Sequence, residues 1–322
     1  MQGDNLKNYL HLHFIVFIWG FTAVLGALIT LDALPLVWFR MSIAVGIILL
    51  FIGIKKIPLK IPRKVFLAFL FSGLVIALHW LTFFKAIKVS NVSVTLACLS
   101  TGAFFASLLE SILYGKKMVK YEVLLGFVVI IALSIILYGD YFSMLIENLL
   151  SSPASFMNIL SETPPSKPGY YWGVLLALAS AFLSALFAVI NAKFAKEYSP
   201  VVISFYELLG GVFFLSVYLL LTGSFDAAFF TVSAEDWLWL FALGSFCTAY
   251  AFIASVHVMK VLSPYTVMLT INMEPVYGII LAVIVFNEKE KMSTPFYIGA
   301  MIILATVILN GILKNYVKKE SK

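Results

Sequence analysis

Ten apolar runs of about twenty residues follow one another along this chain, and about twenty helical residues are what it takes to cross a hydrocarbon core about 30 Å thick. They fall at roughly 10–31, 35–54, 65–86, 91–114, 121–139, 170–192, 200–222, 237–259, 264–286 and 295–314. Inside lipid each backbone N–H and C=O must be satisfied internally, which leaves helices or a closed barrel. The runs lack the alternation of barrel strands. The fold expected is therefore an all-α integral membrane protein with ten transmembrane helices. Composition agrees: 62% of residues are hydrophobic and 12% charged, where soluble domains have about 45–50% and about 25%. The first run, from near Leu10 to about Leu31, is too long for a signal-peptide core and is read as the first span.

Lysine and arginine placement sets the orientation. With the N-terminus inside, the inner segments hold Lys7; Lys55, Lys56, Lys60, Arg63 and Lys64; Lys116, Lys117 and Lys120; Lys193 and Lys196; Lys260; and Lys314, Lys318, Lys319 and Lys322. The outer segments hold Lys85, Lys88, Lys167, Lys289 and Lys291. Both termini are thus expected in the cytoplasm. A net charge of +6 spread over short loops is no nucleic-acid signal. Cys98 and Cys247 fall inside apolar runs and form no disulfide or zinc spacing. The one long connection, 140–169, places Phe142, Leu145, Ile146 and Leu149 at helical spacing, the pattern of an amphipathic helix at the outer interface.

That connection also divides the chain. Shifted by 172 residues, ALHWLTFFKAIKVSNVSVTL (77–96) lies on AYAFIASVHVMKVLSPYTVM (249–268), bringing Lys88 onto Lys260 and Val89 onto Val261. Pro35 and Pro200 open the second and seventh spans alike. The units expected are 1–139, a connector 140–169, and 170–322. Five spans per repeat is an odd number, so the second repeat is expected upside down relative to the first. Inverted repeats are a recurrent architecture of secondary transporters, which hold substrate near the midplane.

Glu274-Pro275 stands out in this setting, near the middle of the run 261–288. A carboxylate at a helix centre costs roughly 2.5–3.5 kcal/mol on insertion scales, and a proline there is expected to kink the helix. Together they suggest a helix lining a cavity rather than lipid.

The five-helix repeats, LPLVWFR at 34–40, SPYTVMLTINMEPVYGIILAVIVFNE at 263–288 and a closing span carrying Gly299 resemble the EamA group of the drug/metabolite transporter superfamily. The first repeat departs from the late motif: Gly102-Ala103 stands where the pattern has an acid or small residue followed by proline, and Lys116 replaces an acid. The resemblance implies transport of amino acids or other small metabolites, with export the usual direction.

Depth, counted at about 1.5 Å per residue, sorts the polar residues. Glu274, Thr101, Trp19 and Ser184 each lie about 15–18 Å from a span end, near the midplane, two from each repeat, and a shared cavity would explain all four. Glu274 reads as a proton carrier or a partner for a substrate amine; otherwise it is a buried acid paired with a neighbour, or part of a motif that caps a broken helix. Asn272 is a cavity group if a kink at Pro275 turns it inward, or else a helix–helix hydrogen bond. His79 is a second candidate for proton coupling, or a histidine bonded between helices. Trp80 stacks on substrate or belongs to the outer aromatic belt. Tyr250 and Tyr277 are cavity-wall candidates against ordinary packing. Arg40, only about 8 Å from the outer end of its span, is explained by snorkelling, with an outer gate or anion contact as the other reading. Glu207 and Glu110 are expected to pair with cytoplasmic lysines, and Asn191 and His257 to be interfacial. Gly126, Gly299 and Gly210-Gly211 allow close helix approach; Gly20 and Gly278 are expected to loosen helices that rock.

The function expected is a secondary transporter, not an enzyme, working by alternating access and located in the plasma membrane (the inner membrane of a bacterium). Spans one, three, four, six, eight and nine are expected to line the cavity. The expected partners are lipid, a small-molecule substrate and, as a coupling ion, protons, with the chain working as a monomer. No cofactor or metal is expected: H-E-x-x-H, G-x-S-x-G and P-loop patterns are missing from the sequence. An intramembrane enzyme or a channel are the alternatives.

Overall fold

The computed structural model describes residues 2–114, 120–151, 169–258, 260–262, 270–271 and 273–320. Among them all regular structure is helical. In chain order the helices are α1 (Gln2–Leu28), α2 (Ala33–Lys55), α3 (Arg63–Val89), α4 (Val92–Leu99), α5 (Gly102–Tyr114), α6 (Lys120–Ser151), α7 (Tyr170–Phe194), α8 (Pro200–Leu221), α9 (Ala234–Gly244), a π-helical turn (Ser245–Tyr250), α10 (Ala251–Val258), α11 (Glu274–Phe286) and α12 (Thr294–Glu320).

Seven stretches of the described residues are long and apolar enough to cross a membrane: Leu6–Leu28, Ala33–Lys55, Arg63–Val89, Val92–Leu113, Tyr170–Phe194, Pro200–Leu221 and Ala234–Val258. An eighth arises if the pair Leu124–Ile136 and Tyr138–Met144, bent by 63°, counts as one span. The ninth expected span is described mainly by α11, since 263–269 and 272 lie outside the described residues. The tenth contributes a shorter apolar stretch, Thr294–Thr306. Beyond the bend, residues 140–151 continue α6, with Phe142 and Ile146 exposed; 152–168 lie outside the described residues.

Local chemistry sets several helix starts. The Asn91 side chain accepts from the Val94 N–H at 2.9 Å, and Ser233 from that of Asp236 at 3.0 Å; both are N-caps that satisfy a donor the helix itself cannot. Pro200 opens α8, where its missing N–H costs nothing. Leu50, Ile130, Leu221 and Ile284 are exposed on the outside of the bundle. Side chains of that kind suit lipid as the solvent.

The packing carries an internal symmetry. α1 packs on α11, and in the same way α7 packs on α4 and α5; α3 packs on α7 and α8, as the α9–α10 span packs on α1 and α2. The pairs α2–α8, α4–α11 and α6–α12 join each span to its own counterpart. Exchanging the two repeats thus returns these principal contacts. α6 and α12 pack chiefly on each other, beside the rest of the bundle.

At two crossings backbones touch. A Cβ on Gly20 would lie 3.3 Å from the Gly278 nitrogen and 2.9 Å from the Tyr277 Cβ. These glycines are buttresses of the α1–α11 contact, not the loosening points expected. A Cβ on Gly73 would lie 2.1 Å from the Glu207 carbonyl oxygen and 2.9 Å from the Gly211 nitrogen. Both are backbone atoms, so the neighbours cannot swing aside. Gly73→Ala should therefore lower the thermal unfolding midpoint in detergent, with a cost of at least about 1–3 kcal/mol for overpacking. An unchanged midpoint would contradict this close approach.

Candidate functional site

The fourth and ninth spans, counterparts in the two repeats, are both interrupted near their middles. α4 ends at Leu99, Ser100-Thr101 forms the break, and α5 begins at Gly102. In the ninth span Met273 is a turn and α11 begins at Glu274. Pro275 therefore sits in the first helical turn, where a missing N–H is harmless. Two helical residues, Thr270 and Ile271, precede it. Glu274 occupies the positive end of the α11 dipole, a favourable place for an acid. Discontinuous spans that meet at mid-depth are how transporters build ion and solute sites.

A cavity of about 130 Å³ opens at these breaks, close to the ~150 Å³ that accommodates benzene in an engineered protein cavity. Trp19, His79, Trp80, Ser184, Glu274 and Pro275 line it, together with Ser100 and Gly102 from the break in the fourth span. Aromatic walls come from Phe83, Phe187 and Phe252.

Arg40 is the group whose role depth arithmetic misjudged. It is 1% exposed and lines the cavity, so it does not snorkel. Its guanidinium carbon lies 3.9 Å from the Trp80 ring centroid, a cation–π contact of about 2 kcal/mol or more when desolvated. Nε donates to Thr248 Oγ1 at 2.8 Å. Nη1 is buried and has no hydrogen-bond partner among the described residues. The π-helical turn explains the Thr248 contact. Its hydroxyl donates to the Leu243 carbonyl five residues back, at 2.7 Å, leaving its lone pairs for Arg40. π-turns of this kind concentrate at functional sites. Arg40 and Glu274 share the cavity, yet no ion pair joins them among the described residues. The second span therefore joins the six expected to line the cavity.

His79 is bonded between helices: Nδ1 lies 2.9 Å from the Ser180 carbonyl and 2.8 Å from the Ser180 hydroxyl. A carbonyl can only accept, so Nδ1 carries the proton and Nε2 is the acceptor of the neutral ring.

Other candidates are placed elsewhere. Thr101 is buried in the break, its hydroxyl donating to the Cys98 carbonyl at 2.7 Å. Tyr250 is turned outward, 41% exposed, with its hydroxyl 2.8 Å from His11 Nε2; the π turn buries Cys247 and Thr248 in its stead. Tyr277 packs edge-on against Phe17 beside the α1–α11 crossing. Asn272 lies outside the described residues. Glu207 pairs with no lysine: it is fully buried and accepts from Asn191 Nδ2. Asn191 is accordingly not interfacial but buried in the cavity wall, whereas His257 is exposed.

A model described as the EamA-like transporter family matches residues 7–138 and 171–312, once on each half. The chain belongs to the EamA-like transporter family. It is thus a multi-pass membrane protein of the drug/metabolite transporter superfamily. A solved crystal structure aligns over 97% of this chain and 98% of its own, with a TM-score of 0.62 and 17% identity, a likeness of fold alone. No curated protein matches the chain. In this EamA-like protein the cavity falls between the two family repeats: Trp19, Arg40, His79 and Trp80 come from the first, Ser184, Asn191 and Glu274 from the second.

At one end of the bundle side chains tie the turns together, Asp236 and Glu290 across the repeats and Lys88 within the first. Asp236 accepts from the Thr30 N–H at 2.7 Å and from its hydroxyl at 2.6 Å. Lys88 donates to the Ile29 carbonyl. Glu290, 5% exposed, accepts from the Val92 and Ser93 N–H groups at 2.9 Å each. Those carboxylate bonds are charge-assisted and satisfy donors at the start of α4.

Proposed function

We propose that this protein is a secondary transporter that moves a small amphipathic metabolite, an amino acid or similar, across the plasma membrane by alternating access. The observation that carries the reading is a cavity between two repeats, at the broken centres of counterpart spans, holding a buried arginine with an unused Nη1 and a carboxylate. Arg40 Nη1 suits a substrate carboxylate, and Glu274 suits an ammonium group, exchanging its proton for the substrate's positive charge. Trp80 and the phenylalanines take the apolar part. A substrate carboxylate there would give Arg40 Nη1 an acceptor, which favours closure around the solute.

In this reading ten spans form two inverted repeats with both termini in the cytoplasm, and the tied end faces outward. The molecule is then closed outside, and rocking of the repeats must break the Asp236 and Glu290 contacts to release solute there, in the direction of export. Glu290→Ala should speed hydrogen–deuterium exchange at the Val92 and Ser93 amides. Exchange as slow as in the native chain would contradict a latch at that position.

The direct test is a thermal-shift screen of the purified protein against amino acids and other small metabolites. A solute that binds the native state raises the unfolding midpoint by mass action, about 2.7 kcal/mol at 100 times Kd. The response should vanish in Arg40→Met. A zwitterion whose shift survives that substitution would remove Arg40 from the site.

A further inference from the structure

A second buried carboxylate lies behind the cavity wall, away from the tied turns. Asn191 lines the cavity, and its Nδ2 donates to both oxygens of Glu207, at 2.9 and 3.1 Å. Glu207 is 0% exposed. The Ser72 hydroxyl faces the same carboxylate from α3, and Ser204 lies one helical turn before it on α8. Asn191 Oδ1 and Ser204 Oγ are buried without hydrogen-bond partners among the described residues. The backbone contact of Gly73 with Glu207 and Gly211 closes α3 over this spot.

Nothing basic balances the charge. On α2, Arg40 is held by Thr248 and Trp80, and Lys55 is exposed. On α3, Arg63 and Lys64 are exposed, His79 is bonded to Ser180, and Lys85 and Lys88 sit at the tied end with Asp32 and Ile29. On α7, Lys193 is exposed, and Tyr170 reaches the Ile136 carbonyl while Tyr171 packs on Tyr138. In the π turn the Cys247 thiol contacts the Ile18 carbonyl, on α10 His257 is exposed, and on α8 itself Tyr206 donates to the Leu59 carbonyl. No lysine, arginine or histidine comes within ion-pair distance of Glu207 among the described residues. An ion taken out of water without a counter-charge is penalised by several kcal/mol, and two amide hydrogen bonds do not cancel it.

We propose that Glu207, Asn191 and Ser72 form a binding site for one monovalent cation, H⁺ or Na⁺, separate from the solute cavity and joined to it by Asn191. The cation neutralises the carboxylate. When it leaves, the Asn191 amide is drawn more strongly to the charged carboxylate, so occupancy of the site acts on the cavity wall. A coupling role for this site rests on the transporter reading; cation binding itself does not.

The test uses the full chain in lipid nanodiscs, with thermal unfolding followed by tryptophan fluorescence. One arm replaces choline chloride with NaCl at constant pH and ionic strength; the other lowers the pH without sodium. The midpoint should rise in one arm, and that arm names the cation. Glu207→Gln should abolish the rise, because the amide keeps the shape but has no charge to neutralise. Asn191→Ala should move the rise to higher cation concentration. No rise in either arm, or a rise of equal size in Glu207→Gln, would overturn the site. If Glu207→Gln does not fold, an unchanged concentration dependence in Asn191→Ala overturns it. An intact cation response without solute flux would refute the transporter reading alone; saturable flux without a cation response would refute this site alone.

Discussion

Arg40→Met abolishes saturable solute uptake in proteoliposomes while the protein melts at the same or a higher temperature. That pair of outcomes is expected because Arg40 serves the site and not the fold. It is a fully desolvated cation whose Nη1 is unused, and replacing a buried ionic group with an apolar residue of similar length is often neutral or stabilising. Methionine can fill the space beside Trp80 and Phe84. A substrate carboxylate would then meet no donor. Losing one partner of a buried charge pair costs about 2–5 kcal/mol, roughly a 30-fold to several-thousand-fold loss of binding. Arg40→Lys should also fail, though less completely. The ammonium keeps the charge but lacks the planar fork that engages Thr248 through Nε. Uptake by Arg40→Met within a few-fold of the native rate would refute the assignment; a collapse of the melting temperature would make Arg40 a structural residue.

Glu274→Gln is expected to remove proton-driven accumulation and the pH dependence of uptake in vesicles while leaving a folded protein in the membrane. The amide fits the same space at the start of α11, and Pro275 still sets that start. It cannot take up or release a proton, and it offers an ammonium group no charge. Cationic and zwitterionic solutes should lose more than anionic ones, for which Arg40 remains. Uptake in Glu274→Gln with an unaltered pH profile would eliminate Glu274 as a proton carrier.

Much of this architecture is legible in the sequence because lipid permits so little else. An internal echo at 172 residues points to two repeats, the family model matches once on each half, and the principal helix contacts are kept when the halves are exchanged. The central position of Glu274, Trp19 and Ser184 follows from counting residues inward from the span ends. Depth along the normal does not, however, say which way a side chain points around its helix. Arg40 illustrates this: near the end of its span it could reach water, but α2 packs against α3 and the π turn so that Trp80 and Thr248 surround it. Tyr250 fails for the converse reason. A π turn adds a residue to its helix and shifts the register, a feature with no marker in the sequence SFCTAY. Asn191 and Glu207 are sixteen residues apart across a loop, and each alone reads as an ordinary polar residue near a span end. Only the α7–α8 pairing brings them together. Arg40 had two sequence signals, a cation inside an apolar run and its place at the end of LPLVWFR, and the default reading of an intramembrane charge as functional favours the anion contact over snorkelling.

The most direct test of the central claim is solute counterflow in proteoliposomes, using a compound selected by the thermal-shift screen. A carrier that alternates access at one cavity predicts uptake that saturates with concentration, accelerates when unlabelled solute is loaded on the opposite side, and is lost in Arg40→Met. Flux that stays linear in concentration and ignores solute on the far side would contradict the account and make the protein a pore.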